Sequence, residues 1–181
     1  LPHTTGMDLL PQLMQSDCKI IDLSADYRLK NPDDYSEWYS LTHKHPGLLS
    51  QVVYGLPELN REKIKNAQCV ANPGCYPTSM ILALAPLLKT NWVDLESIIS
   101  DSKSGVSGAG RKTSITTHYS EANEGLTPYS LASHRHIPEI EQELSNLTGK
   151  PIKISFSPHL TPMSRGMLST IYINLTNKLN D

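Results

Sequence analysis

Three cysteines in 181 residues, Cys18, Cys69 and Cys75, are too few to staple a fold. They cannot all pair with one another, which excludes a disulfide scaffold and points to reduced thiols in a cytoplasmic protein. Long apolar runs are missing too. The longest closes at Pro86-Leu87-Leu88, well short of the ~20 residues that cross a bilayer, so no membrane partner is expected. Charge of one sign is not in excess: 16 basic against 18 acidic residues leave a net −2, which gives nucleic acid or an anionic surface no purchase. The H-x-H pairs His43-Lys44-His45 and His134-Arg135-His136 lack a companion carboxylate or cysteine cluster, so no metal site is expected. The sequence opens Leu1-Pro2-His3-Thr4-Thr5-Gly6, with no initiator Met, no targeting segment and no Gly-rich strand–turn–helix fingerprint. It reads as an excised piece of a longer protein. There is no internal repeat.

What is present centres on Ala71-Asn72-Pro73-Gly74-Cys75-Tyr76-Pro77-Thr78, followed at once by apolar Met80-Ile81-Leu82-Ala83-Leu84. Cys69-Val70-Ala71 ends a buried strand, Pro73-Gly74 permits a sharp turn, and Pro77 suits the first turn of a helix. Cys75 therefore stands where a strand turns into a helix. Unsatisfied N–H groups and the positive end of the helix dipole there favour a thiolate, hence a nucleophile.

The remainder alternates. Helices are predicted over 7–15, 58–65, 77–89 and 136–147, and strands over 19–23, 68–71, 97–101, 151–157 and 168–175. Residues 24–49 form a long polar segment that is either functional or packed as an irregular excursion. Residues 102–111 read as a Gly/Ser loop. The fold class is α/β in two parts. The tail of a Rossmann-like sheet occupies residues 1–72, and an α+β catalytic domain with a mostly antiparallel sheet backed by helices occupies residues 73–181.

Five co-ordered stretches carry a resemblance: Asn72-Pro73-Gly74-Cys75-Tyr76-Pro77-Thr78, Ile21-Asp22-Leu23-Ser24-Ala25-Asp26-Tyr27-Arg28, the run from Lys103 to Lys112, His134-Arg135-His136-Ile137-Pro138-Glu139-Ile140, and the run from Ser157 to Gly166. Together they are similar to the N-acetyl-gamma-glutamyl-phosphate reductase family of arginine biosynthesis, itself related to aspartate-semialdehyde dehydrogenase. The resemblance implies a catalytic domain of the semialdehyde-dehydrogenase type, NADP (NADPH) as cofactor, a small-molecule acyl phosphate as substrate, and a homo-oligomer, dimer or tetramer. It also implies a reaction: a cysteine thiolate displaces phosphate from the acyl phosphate, and the resulting thioester is reduced to the semialdehyde.

That chemistry assigns expectations to the residues. Cys75 is the nucleophile. His134 and His136 are the candidate acid/base groups, His134 first; the alternative is a helix cap. Arg111, Arg165, Arg28 and Lys103 are candidate phosphate cations, and Arg135 fits either purpose. Arg111 is favoured because it follows Ser107-Gly108-Ala109-Gly110, where bare backbone lets a ligand approach. From the resemblance, Ser107, Gly108 and Gly110 are nicotinamide contacts. Asp22 and Asp26 read as turn caps and His159 as a structural residue in a Pro-flanked corner. The rival readings are an aspartate-semialdehyde-dehydrogenase-like reductase, a Cys/His hydrolase or acyltransferase without hydride transfer, and a non-catalytic interaction domain. Because no pyrophosphate cradle lies within residues 1–181, this chain is expected to keep a reactive Cys75 yet bind NADP weakly.

Overall fold

A computed structural model describes residues 4–176. The chain divides into two compact units at Thr78/Ser79.

The first unit opens with helix α1 (Thr5–Leu13) and strand β1 (Ile20–Asp22), continues through α2 (Asp33–Tyr39), β2 (Val53–Tyr54) and α3 (Pro57–Asn66), and closes on β3 (Cys69–Ala71). The strands form a parallel sheet in the order β1-β3-β2, with Ile20 opposite Cys69 and Val53 opposite Val70. The core gathers Met7, Leu10, Tyr27, Leu29, Tyr35, Leu49, Val52, Cys69 and Ala71.

The long polar segment supplies much of that core. Of its two expected fates, packing is the one observed. Tyr27 and Leu29 are fully buried, and the Tyr27 hydroxyl donates to the Met7 carbonyl at 3.1 Å. The Asp26 carboxylate is buried and accepts the N–H groups of Thr4 (3.0 Å) and Met7 (2.9 Å), satisfying orphan donors at the start of α1. Asp22 accepts from both the N–H and the hydroxyl of Ser24. Both acids are thus caps, as read from the sequence. His43 is buried between the Tyr27 and Tyr35 rings. Its Nδ1 accepts the His45 N–H at 3.1 Å, so the proton sits on Nε2 and is given to the Asp26 carbonyl at 2.9 Å. Burial pushes this imidazole below its ordinary range.

Helix α4 (Cys75–Leu88) begins in the first unit and continues into the second. The second unit adds β4 (Ile99–Gly105), α5 (Tyr119–Ala122), β5 (Thr127–Pro128), α6 (Ile137–Thr148), β6 (Ser155–Thr161) and β7 (Met167–Tyr172). The sheet order is β5-β6-β4-β7. Two of its pairings, β4–β7 and β5–β6, are antiparallel. The central β4–β6 pair is parallel, so the sheet is mixed. The chain between those two strands passes through α6, and a crossover of that length returns the next strand in the same direction. Helix α6 buries Ile137, Ile140 and Leu144, and ends at Gly149 with φ 67°, where glycine costs nothing sterically.

The strands expected at 97–101, 151–157 and 168–175 run from Ile99 to Gly105, Ser155 to Thr161 and Met167 to Tyr172, and α2, β2 and β5 lie where no element was expected. Strand β4 runs on to Gly105, through residues expected to be loop, because Ser100, Ser102 and Ser104 alternate into the interior despite their polarity. Strand β6 starts at Ser155 rather than Pro151. The Ile152 N–H goes to the Ser145 hydroxyl (2.9 Å) and the Ile154 N–H to the Glu141 carboxylate (3.2 Å), so α6 takes donors that a neighbouring strand would otherwise use.

Candidate active site

Strand β3 ends at Ala71, and its ladder extends by one bond, Asn72 N–H to the Asp22 carbonyl at 2.8 Å. Pro73 and Gly74 are buried in the turn, and Cys75 is the first residue of α4. The Thr78 N–H and hydroxyl both close on the Gly74 carbonyl, at 3.0 and 2.8 Å, fixing the first helical turn. Cys75 is exposed at that positive helix end. Cys69 is buried in β3, where desolvation, with the Asp22 charge adding, pushes its thiol up to about 11. Cys18 is exposed in a turn past α1.

The two histidines lie at the start of α6. His134 packs edge-on against Phe156 (5.3 Å between ring centres), Tyr129 (5.6 Å) and His136 (4.8 Å). Its Nδ1 accepts the His136 N–H at 3.1 Å, which leaves the proton on Nε2. Burial, with the Arg135 charge beside it, pushes the His134 imidazole down to about 4. His136 holds the N-cap position of α6 without a side-chain cap hydrogen bond. Arg135 is exposed between them.

The loop after β4 is strapped to the β6–β7 turn. Gly105, Val106 and Ser107 donate their N–H groups to the carbonyls of Gly166 (2.9 Å), Met163 (2.8 Å) and Ser164 (3.0 Å). The backbone of Arg165 comes so close to Gly105 that a Cβ there would lie 2.8 Å from it. A Cβ on Gly108 would meet the Ser104 hydroxyl at 2.5 Å, whereas Gly110, at φ 82°, faces open space. This strap joins Gly105–Ser107 to the turn that carries Arg165, while Gly108, Gly110 and Arg111 continue the loop beyond it, with both arginines exposed.

The two other candidate cations, Lys103 and Arg28, have partners of their own. Lys103 is paired with Asp101 on β4. His159 lies not in a corner but within β6, opposite Lys103, its Nδ1 3.3 Å from Asp101. Arg28 is buried in the first unit and donates through Nη2 to the Leu23 carbonyl at 3.0 Å. Asp101, and the fit of Gly105 on Arg165, escaped the sequence reading. A glycine closing a strand is the signal that marks close backbone approach. Among the described residues no three His, Cys, Asp or Glu side chains converge as metal ligands, and no helix is long and apolar enough to cross a membrane.

Residues 75–181 match the family described as semialdehyde dehydrogenase, dimerisation domain, and residues 1–67 the one described as semialdehyde dehydrogenase, NAD binding domain. Among curated proteins, N-acetyl-gamma-glutamyl-phosphate reductase of Syntrophobacter fumaroxidans is 56% identical over 172 residues, 95% of this chain and 50% of that protein. The protein of the same name from Magnetococcus marinus is 54% identical over 180 residues, 99% of this chain and 52% of its own length. Among solved structures, aspartate semialdehyde dehydrogenase II from Vibrio cholerae superposes with a TM-score of 0.69 at 16% identity, over 97% of this chain and 54% of that one. Aspartate semialdehyde dehydrogenase with NADP from Candida albicans gives 0.61 at 11% identity, over 100% of this chain and 50% of that one. These two likenesses concern the fold. The chain spans about half the length of the curated relatives it matches.

Proposed function

We propose, for a chain that belongs to the semialdehyde dehydrogenase family, that it carries the nucleophile and acid/base half of an N-acetyl-gamma-glutamyl-phosphate reductase. The observation that carries this is the exposed Cys75 as first residue of α4, directly after a buried strand and a Pro-Gly turn. In this reading residues 1–72 are the end of the nucleotide-binding domain and residues 73–181 belong to the catalytic and dimerisation domain of a cytoplasmic homo-oligomer.

The Cys75 thiolate attacks the carbonyl carbon of N-acetyl-glutamyl 5-phosphate. The carbon–sulfur bond forms, the carbon–oxygen bond to phosphate breaks, and phosphate leaves. Arg111, Arg165 and Arg135 are exposed and are the first candidates to meet its charge, with Lys103 and Arg28 the remaining candidate cations. Bound NADPH supplies hydride for reduction of the acyl carbon, and Ser107, Gly108 and Gly110 are the residues that suit its nicotinamide end. As the product semialdehyde departs, the Cys75 sulfur leaves as thiolate. His134 and His136 are the candidates to give a proton to the acyl oxygen as hydride arrives and to take it back as the carbonyl re-forms and the carbon–sulfur bond breaks. A shuttle must titrate near the working pH. His134, pushed down to about 4 by burial, stays neutral at neutral pH and offers Nε2–H as a donor.

The test uses a polypeptide of the relatives' full length that carries this chain. NADPH oxidation should require N-acetyl-glutamyl phosphate, release phosphate, and disappear in Cys75→Ser, whose hydroxyl is not ionised at neutral pH. Phosphate release without NADPH oxidation would mean a hydrolase, and a preference for aspartyl phosphate would mean the sister reductase.

A further inference from the structure

The interior face of β4 is serine at each position, Ser100, Ser102 and Ser104, all buried. A central strand normally spends such positions on Val or Ile, since an interior hydroxyl costs free energy unless it is bonded. Here the hydroxyls are bonded in series. Ser102 donates to Ser169, its cross-strand partner on β7, at 2.8 Å. Its single proton is thereby used, so in the 3.0 Å contact with Ser100 it is Ser100 that donates. Ser169 in turn meets Ser79 of α4 at 2.8 Å. Ser79 lies four residues after Cys75, on the same stripe of that helix. Met80, Ile81 and Leu84 of α4 are buried, and apolar burial is non-directional. A hydrogen bond between two short side chains fixes both the rotation and the axial position of a helix.

We propose that the hydroxyl series Ser100–Ser102–Ser169–Ser79 is a positioning device for the nucleophile: it sets the register of α4 on the mixed sheet, and through the helix the placement of Cys75. The proposal rests on the reading of Cys75 given above. The alternative is that small residues are needed only for close packing. Alanine satisfies that need and removes the hydroxyl.

The experiment measures kcat and KM of Ser102→Ala, Ser169→Ala and Ser169→Thr in the active full-length polypeptide. Each alanine variant should lose about tenfold in kcat with KM unchanged, the size expected for one broken bond in a polar series. Ser169→Thr, which keeps the hydroxyl and suits a strand, should stay close to wild type. The double alanine variant should lose little more than Ser169→Ala alone, because Ser169→Ala already removes both the Ser102 and the Ser79 contacts. Alanine variants at wild-type kcat would overturn the proposal, as would a loss that threonine does not restore. If Ser169→Ala fails to fold, Ser79→Ala reads the same contact from the helix side. An inactive wild-type protein would instead sink the reading of Cys75 itself.

Discussion

At the scale of single residues, environment separates groups that composition treats alike. Of the three thiols, Cys69 is held protonated by burial, and of the two exposed ones Cys75 alone begins a helix. Limiting iodoacetamide at neutral pH should therefore label Cys75 first, as peptide mass spectrometry would reveal; dominant label on Cys18 would contradict the helix-end argument. The depressed histidines make an acid-side prediction. His134 takes up its proton near 4 in the folded chain and near its ordinary value of 6.5 when unfolded. The unfolded state thus binds more protons between those values, and stability present above pH 6.5 is lost as pH falls toward 4. His43, lowered for the same reason, adds to the trend. His134→Asn keeps an acceptor for the His136 N–H but does not titrate, so its melting temperature should fall less steeply over that range. A slope equal to wild type would count against it. Cys75 was legible in the sequence because Pro-Gly and a following apolar run fix a strand-to-helix turn locally. The difference between His134 and His136 was not, because it depends on Phe156 and Tyr129, brought to His134 by the chain's path.

At the scale of elements, hydrophobic pattern found most helices within a residue or two and misplaced the strands whose donors or side chains break the rule. Strand β4 hides serines where apolar residues were looked for, and β6 starts late because α6 claims the N–H groups of Ile152 and Ile154. The parallel β4–β6 pair was equally invisible, since strand direction follows from crossover length and not from the strands' own residues. Gly105 gives the sharpest test at this level. Its substitution by alanine puts a methyl 2.8 Å from rigid backbone of Arg165. Gly105→Ala should cost about 1–3 kcal/mol in denaturant unfolding. In the full-length polypeptide it should also raise the KM for the acyl phosphate, because the strap that seats Arg165 is displaced. A variant as stable as wild type would show that the turn yields freely.

At the scale of the whole molecule, the residues that recognise a dinucleotide are unevenly represented. In the reading proposed above, Ser107, Gly108 and Gly110 meet the nicotinamide, while the 181 residues hold no Gly-rich strand–turn–helix for the pyrophosphate. Calorimetric titration of this chain with NADPH should give no micromolar binding. A micromolar constant, about 8 kcal/mol, exceeds what one loop contacting one end of the ligand supplies. The strap between residues 105–107 and 163–166 carries a consequence of another kind. Three main-chain bonds zip the two turns together beyond the ends of β4 and β7. Neither turn can therefore gain or lose a residue by itself without unpairing the other. Across relatives, insertions and deletions in these two segments should occur together or not at all, so loop length here is inherited as a pair.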